Sequence, residues 1–160
     1  MKLPFFSRIW ARDRKIFTGF FRIWVQNIVR FRNRDETSMK IQTEKKEGVL
    51  ILHIDEKRVS APLTAEFKKE LLTFIVQQSP NLVVNLNQVQ EIDSSGLGAL
   101  LFGLRQAKRY GGVLKLAQLQ PKVRQLIEIA QLARVFEIFD NEKQALRSFT
   151  LADGKQKQAN

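Results

Sequence analysis

Residues 91–98 read EIDSSGLG, and they join two segments with different hydrophobic patterns. Before them, residues 81–86 (NLVVNL) form a short apolar run bounded by Pro80, which predicts a buried strand. After them, the Leu- and Ala-rich residues 97–110 predict a helix. One Asp, two Ser and two Gly therefore fill a turn from a strand into a helix N-terminus. Backbone N–H groups at such an end lack intrahelical partners, so a Ser there is either a helix cap or a place for a phosphate.

The rest of the chain alternates between short apolar runs and helical patterns. Further strands are predicted at residues 39–45, 49–54, 113–117 and 135–139. Further helices are predicted from Pro62 to about Gln78 with Ser60 or Ala61 at the cap position, from Pro121 onward, and from Asn141 to Phe149 with Asp140 as the cap. This order predicts an α/β domain with a mixed, mostly parallel sheet backed by helices, in which only the first hairpin is antiparallel.

The composition excludes several classes of functional site. The chain of 160 residues has no Cys and a single His, His53, which argues against disulfides, thiolate chemistry and His-based metal or catalytic sites. We therefore expect neither a metal nor a cofactor, and we interpret His53 as a residue satisfied by its neighbours in the sheet. The net charge of +11 indicates an anionic partner, such as anionic lipid, an acidic protein or nucleic acid.

Charge and aromatic content divide the chain into three segments. Residues 1–38 carry nine Lys or Arg against three acidic residues, together with eight of the fifteen aromatic residues. We interpret them as an N-terminal extension, residues 39–150 as the α/β domain, and residues 151–160 as a polar C-terminal tail that is disordered from Asp153 onward.

The N-terminal extension has the pattern of an amphipathic helix. Its basic residues recur at three- and four-residue steps, and most of its aromatic residues lie opposite them. The surface so predicted comprises Arg8, Trp10, Arg12, Lys15, Phe17, Phe21, Arg22, Trp24 and Arg30. The pattern favours a helix in an anionic membrane interface over a helix packed on its own domain or on a second copy in a homodimer.

Other partners for this extension are disfavoured. Arg22 interrupts the apolar runs, so no transmembrane span is expected. No recognition-helix pattern accompanies the basic residues near Arg30, which disfavours nucleic acid. We therefore expect a cytoplasmic protein that lies peripherally at the inner face of the membrane.

The turn does not match common nucleotide-binding or catalytic motifs. Gly96 and Gly98 fit the first two glycines of a dinucleotide fingerprint, but Leu101 takes the third position and no acid follows about 20 residues later. Ser94 and Ser95 lack the G-x-S-x-G context and the positioned His of a serine hydrolase. A third interpretation is that a Ser of the turn is itself a substrate, since a kinase can reach a hydroxyl at an exposed helix N-terminus.

Structural roles for the same residues stay open at this stage. Ser94 fits a helix cap, and Gly96 and Gly98 would let the helix pack close to the sheet. Asp93 would either repel a phosphate or orient the Ser hydroxyl during transfer. The loop at Ser60 lies near the turn if both leave the same edge of the sheet.

The turn and its flanks resemble the STAS domain of anti-sigma factor antagonists. The similarity comprises EIDSSGLG, the Leu-rich helix after it, Gly111-Gly112 with the next strand, PKVR at 121–124 with Leu126, and ARVFEIFDNEKQA at 133–145. It spans about residues 39–150. It implies a small α/β domain that acts as a non-enzymatic regulator, bound by an ATP-dependent serine kinase that is an anti-sigma factor or a related switch protein.

The same resemblance implies roles for individual residues. The second Ser of the turn, Ser95, would be phosphorylated, and Asp93 would be needed for the transfer. Asp93, Ser94, Gly96 and the loop at Ser60 would contact the kinase. That loop departs from the family pattern, because the usual Leu-Asp-Ala is Val-Ser-Ala here and Ser60 cannot supply the negative charge.

STAS domains also occur in lipid-transport and anion-transport assemblies. The competing function is therefore that of a STAS subunit in a membrane-associated transport complex.

Overall fold

The computed structural model describes residues 38–157, with side chains described as far as Leu151. The amphipathic helix predicted for the N-terminal extension lies outside the described residues, and so do residues 158–160. Within residues 38–157, no helix is long and apolar enough to cross a membrane.

Short strands and helices alternate along the described chain. The strands are β1 (Ile41–Lys46), β2 (Val49–Ile54), β3 (Arg58–Val59), β4 (Leu82–Asn85), β5 (Glu91–Ile92), β6 (Leu114–Ala117) and β7 (Ile138–Phe139). The helices are α1 (Ala61–Gln77), α2 (Ser94–Arg109), α3 (Pro121–Ile129) and α4 (Glu142–Lys157), with a 3₁₀ turn at Leu132–Arg134. Pro62 and Pro121 stand in the first turns of α1 and α3, where a missing N–H costs nothing.

Five of the strands form the main sheet, in the order β1-β2-β4-β6-β7. The β1–β2 pair is antiparallel, and the pairs β2–β4, β4–β6 and β6–β7 are parallel. The predicted α/β class and mixed, mostly parallel sheet are thereby confirmed. The hairpin turn at Glu47 and Gly48 has φ of 52° and 79°, the two positive values that a two-residue type I′ turn requires.

Alternation of side chains along the strands divides the core between the two faces of the sheet. On one face, Leu52 and Val84 pack with residues of α1, α2 and α3, including Phe67 and Leu100. On the other face, the core cluster of Val49, Ile51, Val83 and Ala117 includes Ala145 and Phe149 of α4. Because β4 and β6 are covered on both faces, every residue of these two strands is buried, including the polar Asn85 and Lys115.

The C-terminal part differs from the sequence prediction at three points. The last strand begins at Ile138 rather than at residue 135, because Leu132–Arg134 turns the chain as a 3₁₀ helix first. The predicted cap Asp140 is wrong: Asn141 Oδ1 accepts the bond from Gln144 N at 2.9 Å, while Asp140 pairs with Arg124. Helix α4 also continues to Lys157, through most of the segment predicted as a disordered tail.

Candidate functional site

The turn after β5 is placed by a second, smaller sheet that the sequence did not predict. The two-residue strands β3 and β5 pair in parallel, so that Val59 lies beside Ile92. The backbone N–H of Asp93 continues this pairing and donates to Val59 O at 3.1 Å. The loop at Ser60 and the turn at residues 93–98 are therefore neighbours, as the sequence predicted for loops at one edge of a sheet.

Asp93 connects the two helices that begin at this edge. Its Oδ1 accepts a hydrogen bond from Gly96 N at 2.9 Å and caps α2. Its Oδ2 accepts a hydrogen bond from Ala61 N at 3.1 Å, at the start of α1. The prediction that Ser94 caps α2 is wrong, because Ser94 is the first helical residue and Asp93 holds the cap position. The two oxygens of this one carboxylate thus accept from the starts of two helices at once.

Ser60, one of the two residues predicted for the cap position of α1, occupies that position, but its side chain makes no capping bond. Its backbone is extended, and its carbonyl accepts from Leu63 N and from Thr64 Oγ1, both at 3.0 Å. The first donor of α1 is instead satisfied by Asp93. The Ser60 side chain is half-buried, so its hydroxyl borders the surface beside the turn.

The two hydroxyls of the turn lie at the first two positions of α2. Ser94 is exposed and Ser95 is half-buried. Among residues 38–157, neither hydroxyl has a hydrogen-bond partner. They lie on a backbone that the bond from Gly96 N to Asp93 Oδ1 holds in place.

Gly96 is required by close packing behind these hydroxyls. A Cβ at this position would lie 2.5 Å from Ile92 Cγ1 and 2.8 Å from Val59 O, distances that real side chains do not adopt. The predicted packing role of Gly96 is therefore confirmed. Gly98 differs, because no described atom lies within 4 Å of a Cβ built there.

Charged side chains of both signs border the turn. Glu91 of β5 pairs with Arg58 of β3, and its other oxygen lies 3.7 Å from Lys122 Nζ of α3. The Arg58 and Lys122 side chains are largely exposed and that of Glu91 is about half exposed, so these pairs contribute little to stability. Arg58 and Lys122 were not singled out in the sequence, because the charge pattern of each segment alone does not reveal that they meet at Glu91.

The comparison with protein families settles the classification of this fold. A model of the STAS domain matches residues 40–145, which is more than half of the chain. The chain belongs to the STAS domain family. The predicted resemblance is confirmed, and its span agrees with the domain that the strands and helices build.

Named relatives of this STAS domain include a regulator. The anti-sigma F factor antagonist of Paenibacillus polymyxa is 30% identical over 114 residues, which cover 68% of this chain and 93% of that protein.

Solved structures share the fold. The anti-sigma factor antagonist SpoIIAA in its unphosphorylated form has a TM-score of 0.60 at 18% identity, covering 69% of this chain and 96% of its own. The phosphorylated form of SpoIIAA, a Bacillus cell fate determinant, has a TM-score of 0.55 at 18% identity, covering 69% and 99%. The murine solute carrier 26 family member A9 anion transporter has a TM-score of 0.57 at 13% identity, covering 86% of this chain and 25% of that one. At such identities these structures establish the fold alone.

Outside the turn, the described part of the STAS domain offers few candidates for chemistry. Residues 38–157 contain no cluster of three His, Asp or Glu side chains able to hold a metal ion. His53 pairs with Glu142 Oε1 at 3.3 Å, which agrees with its interpretation as a residue satisfied by neighbours. Lys115 is buried in β6, where Glu137, Ser148 Oγ and the ring of Phe149 surround its ammonium group. The turn at Asp93 therefore stands out as the candidate site.

Proposed function

We propose that this STAS domain is a non-enzymatic regulator of the anti-sigma factor antagonist type. Its binding to a partner is switched by phosphorylation of Ser95, and the partner is a serine kinase that also acts as an anti-sigma factor. The named relative from Paenibacillus polymyxa supports the antagonist role. The observation that carries the proposal is the pair of Ser hydroxyls at the capped N-terminus of α2, neither of which has a hydrogen-bond partner among residues 38–157.

The reaction takes place on this protein, and the kinase supplies the catalysis. The Ser95 Oγ attacks the γ-phosphorus of ATP, the bond to the bridging oxygen of ADP breaks, and the hydroxyl proton leaves to a base of the kinase. The product is phosphoserine and ADP. The new group adds about −1.5 to −2 charge at neutral pH, next to the Asp93 carboxylate.

This charge is sufficient to switch binding without any refolding. It appears at the start of α2, where the helix dipole favours an anion, so the fold tolerates it. A partner surface that fits the neutral turn meets a dianion after transfer, and the cost of burying that charge weakens the complex. Removal of the phosphate restores the neutral turn and with it the binding to the partner.

The experiment that tests the proposal separates the two neighbouring hydroxyls. The full chain is incubated with ATP, Mg²⁺ and an extract of its own source cells as the source of kinase, and the modified peptide is mapped by mass spectrometry. Phosphate is expected on Ser95, and Ser95→Ala should abolish it while Ser94→Ala retains it. Equal incorporation into wild type and Ser95→Ala would overturn the assignment. Indifference to Ser95→Ala together with stable co-purification with a permease or a transport ATPase would favour the transport function.

We further propose that residues 1–38 hold the protein at an anionic membrane surface, as a peripheral protein of the cytoplasmic side. Support comes from the nine basic residues and the eight aromatic residues of that segment. Attachment at the membrane would concentrate the switch beside partners at the same surface.

A further inference from the structure

Helix α2 contains three glycines, and two of them have an internal explanation. A Cβ at Gly96 would collide with Ile92 and Val59, as described above. A Cβ at Gly103 would lie 2.9 Å from Leu71 Cδ1 and 2.9 Å from Leu114 Cδ1. Both glycines let α2 approach its neighbours closely, which compensates for their poor helix propensity.

Gly98 has no such compensation in the described part of the chain. A Cβ at this position meets open space, with no described heavy atom within 4 Å. Its φ is not positive, so the backbone does not require glycine either. Gly98 stands inside a 16-residue helix, where alanine would be more stable. The sequence thus carries a residue of poor helix propensity for which the packing among residues 38–157 gives no reason.

The place of Gly98 on the helix suggests what it does. It follows Ser95 by three residues and Ser94 by four, so all three share one face of α2. Each Cα–Cβ bond of an α-helix tilts toward the helix N-terminus. Any side chain at position 98 would therefore project toward the two hydroxyls and cover the surface beside them.

We propose that Gly98 keeps this surface bare, so that the active-site cleft of the serine kinase closes around the Ser95 hydroxyl. This inference rests on the proposed function and adds a specificity-determining residue to it. Phosphoryl transfer needs the attacking oxygen about 3–3.5 Å from phosphorus and in line with the leaving group. A methyl group on the facing surface holds the two proteins apart, and a displacement of about 1 Å can slow such a reaction about 100-fold.

Two substitutions of Gly98 test this proposal. For Gly98→Ala, the proposal predicts higher stability together with a lower rate of phosphorylation. In Gly98→Ala, the Tm of the full chain should rise by about 2–6 °C, because alanine is the better helix former and has room. Its rate of phosphorylation at Ser95, with ATP, Mg²⁺ and source-cell extract, should fall at least about 10-fold. Gly98→Leu should slow the reaction further, since its side chain covers more of the face.

Thr73→Ala is the matched control. Thr73 lies on the surface side of α1, 12 residues after its first residue, which is about 18 Å along the helix from the Asp93 contact. Like Gly98→Ala, Thr73→Ala places a better helix former in an α-helix, so the Tm of this variant should rise or stay constant. Its rate of phosphorylation at Ser95 should equal that of wild type.

The outcomes separate the two proposals. If wild type takes up no phosphate at Ser95, the proposed function fails and the role of Gly98 fails with it. If wild type is phosphorylated and Gly98→Ala reacts at the same rate, the proposed function stands and the role of Gly98 is overturned. A lower Tm for Gly98→Ala would also overturn it, because it would reveal an internal packing role.

Discussion

The carboxylate of Asp93 accepts a hydrogen bond from the backbone N–H of Ala61 at 3.1 Å, across 32 residues of sequence. Its other oxygen accepts from Gly96 N within the turn. One side chain therefore satisfies donors at the starts of two helices, whose first N–H groups have no partner within the helix. The loop that carries Ser60 and the turn that carries Ser95 are joined through this group.

The double cap predicts the cost of removing it. Asp93→Ala should lower the free energy of unfolding by about 2–3 kcal/mol, because each lost cap contributes about 1 kcal/mol and the vacated N–H groups are partly shielded. Asp93→Asn retains one acceptor oxygen, so it should lose about 1 kcal/mol. Urea unfolding followed by circular dichroism measures both values.

Ser94→Ala is the control for that series, since it removes a hydroxyl from the same turn without removing a cap. Its effect should stay within about 0.5 kcal/mol, as for other surface substitutions. A loss equal to that of Asp93→Ala would show that Ser94 supports the turn after all and would contradict the capping geometry.

Gly96 gives a second prediction about the same turn. Gly96→Ala should destabilise the fold by about 1–3 kcal/mol, because the added methyl group would overlap Ile92 Cγ1 and the carbonyl oxygen of Val59. Thermal unfolding measures the change, with Gly98→Ala in the same helix as the comparison. Equal Tm values for the two variants would be inconsistent with the close packing of α2 on the small sheet.

The features that the sequence predicted correctly depend on short-range patterns. The strand before the turn, the helix after it and the hairpin at Glu47 and Gly48 each follow from local periodicity and from Gly and Pro positions. Strands β3 and β5 have two residues each, which is too short for any periodicity to register. The small sheet was therefore missed, although its loops were expected to be neighbours if both left the same edge of a sheet.

The roles within the turn depended on contacts that local patterns do not contain. Ser is a favoured cap residue, which favours Ser94 in the sequence, but the Asp93 carboxylate accepts from Gly96 N and holds the cap position of α2. Arg58 and Lys122 both approach Glu91, and the three residues belong to three different elements. The sequence of any one of these segments therefore does not predict the contact. The choice of Ser95 over the more exposed Ser94 comes from the family resemblance, and the geometry is compatible with either hydroxyl.

A third prediction concerns the departure of the Ser60 loop from the family pattern. Ser60→Asp restores the negative charge that relatives of this type are expected to present to the kinase. The rate of Ser95 phosphorylation should rise about threefold to tenfold, since charge complementarity mainly accelerates association. Initial rates with ATP, Mg²⁺ and a fixed amount of source-cell extract measure the effect.

Ser60→Asn separates charge from shape in that experiment. Asn has nearly the size of Asp and is an equally good residue at the cap position, but it carries no charge. Its rate should remain that of wild type. If Asn and Asp accelerate the reaction equally, the contact with the kinase does not depend on the negative charge.

The last prediction addresses residues 1–38. The full chain should co-sediment with vesicles containing anionic phosphatidylglycerol and only weakly with neutral phosphatidylcholine vesicles, because each basic residue near an anionic surface contributes about 1 kcal/mol. Deletion of residues 1–38 should abolish binding, and Trp10→Ala with Trp24→Ala should weaken the part that persists at high salt, where aromatic burial dominates. Binding that survives the deletion would assign the membrane contact to the STAS domain instead. Binding to duplex DNA that falls steeply with rising salt would indicate nucleic acid as the anionic partner.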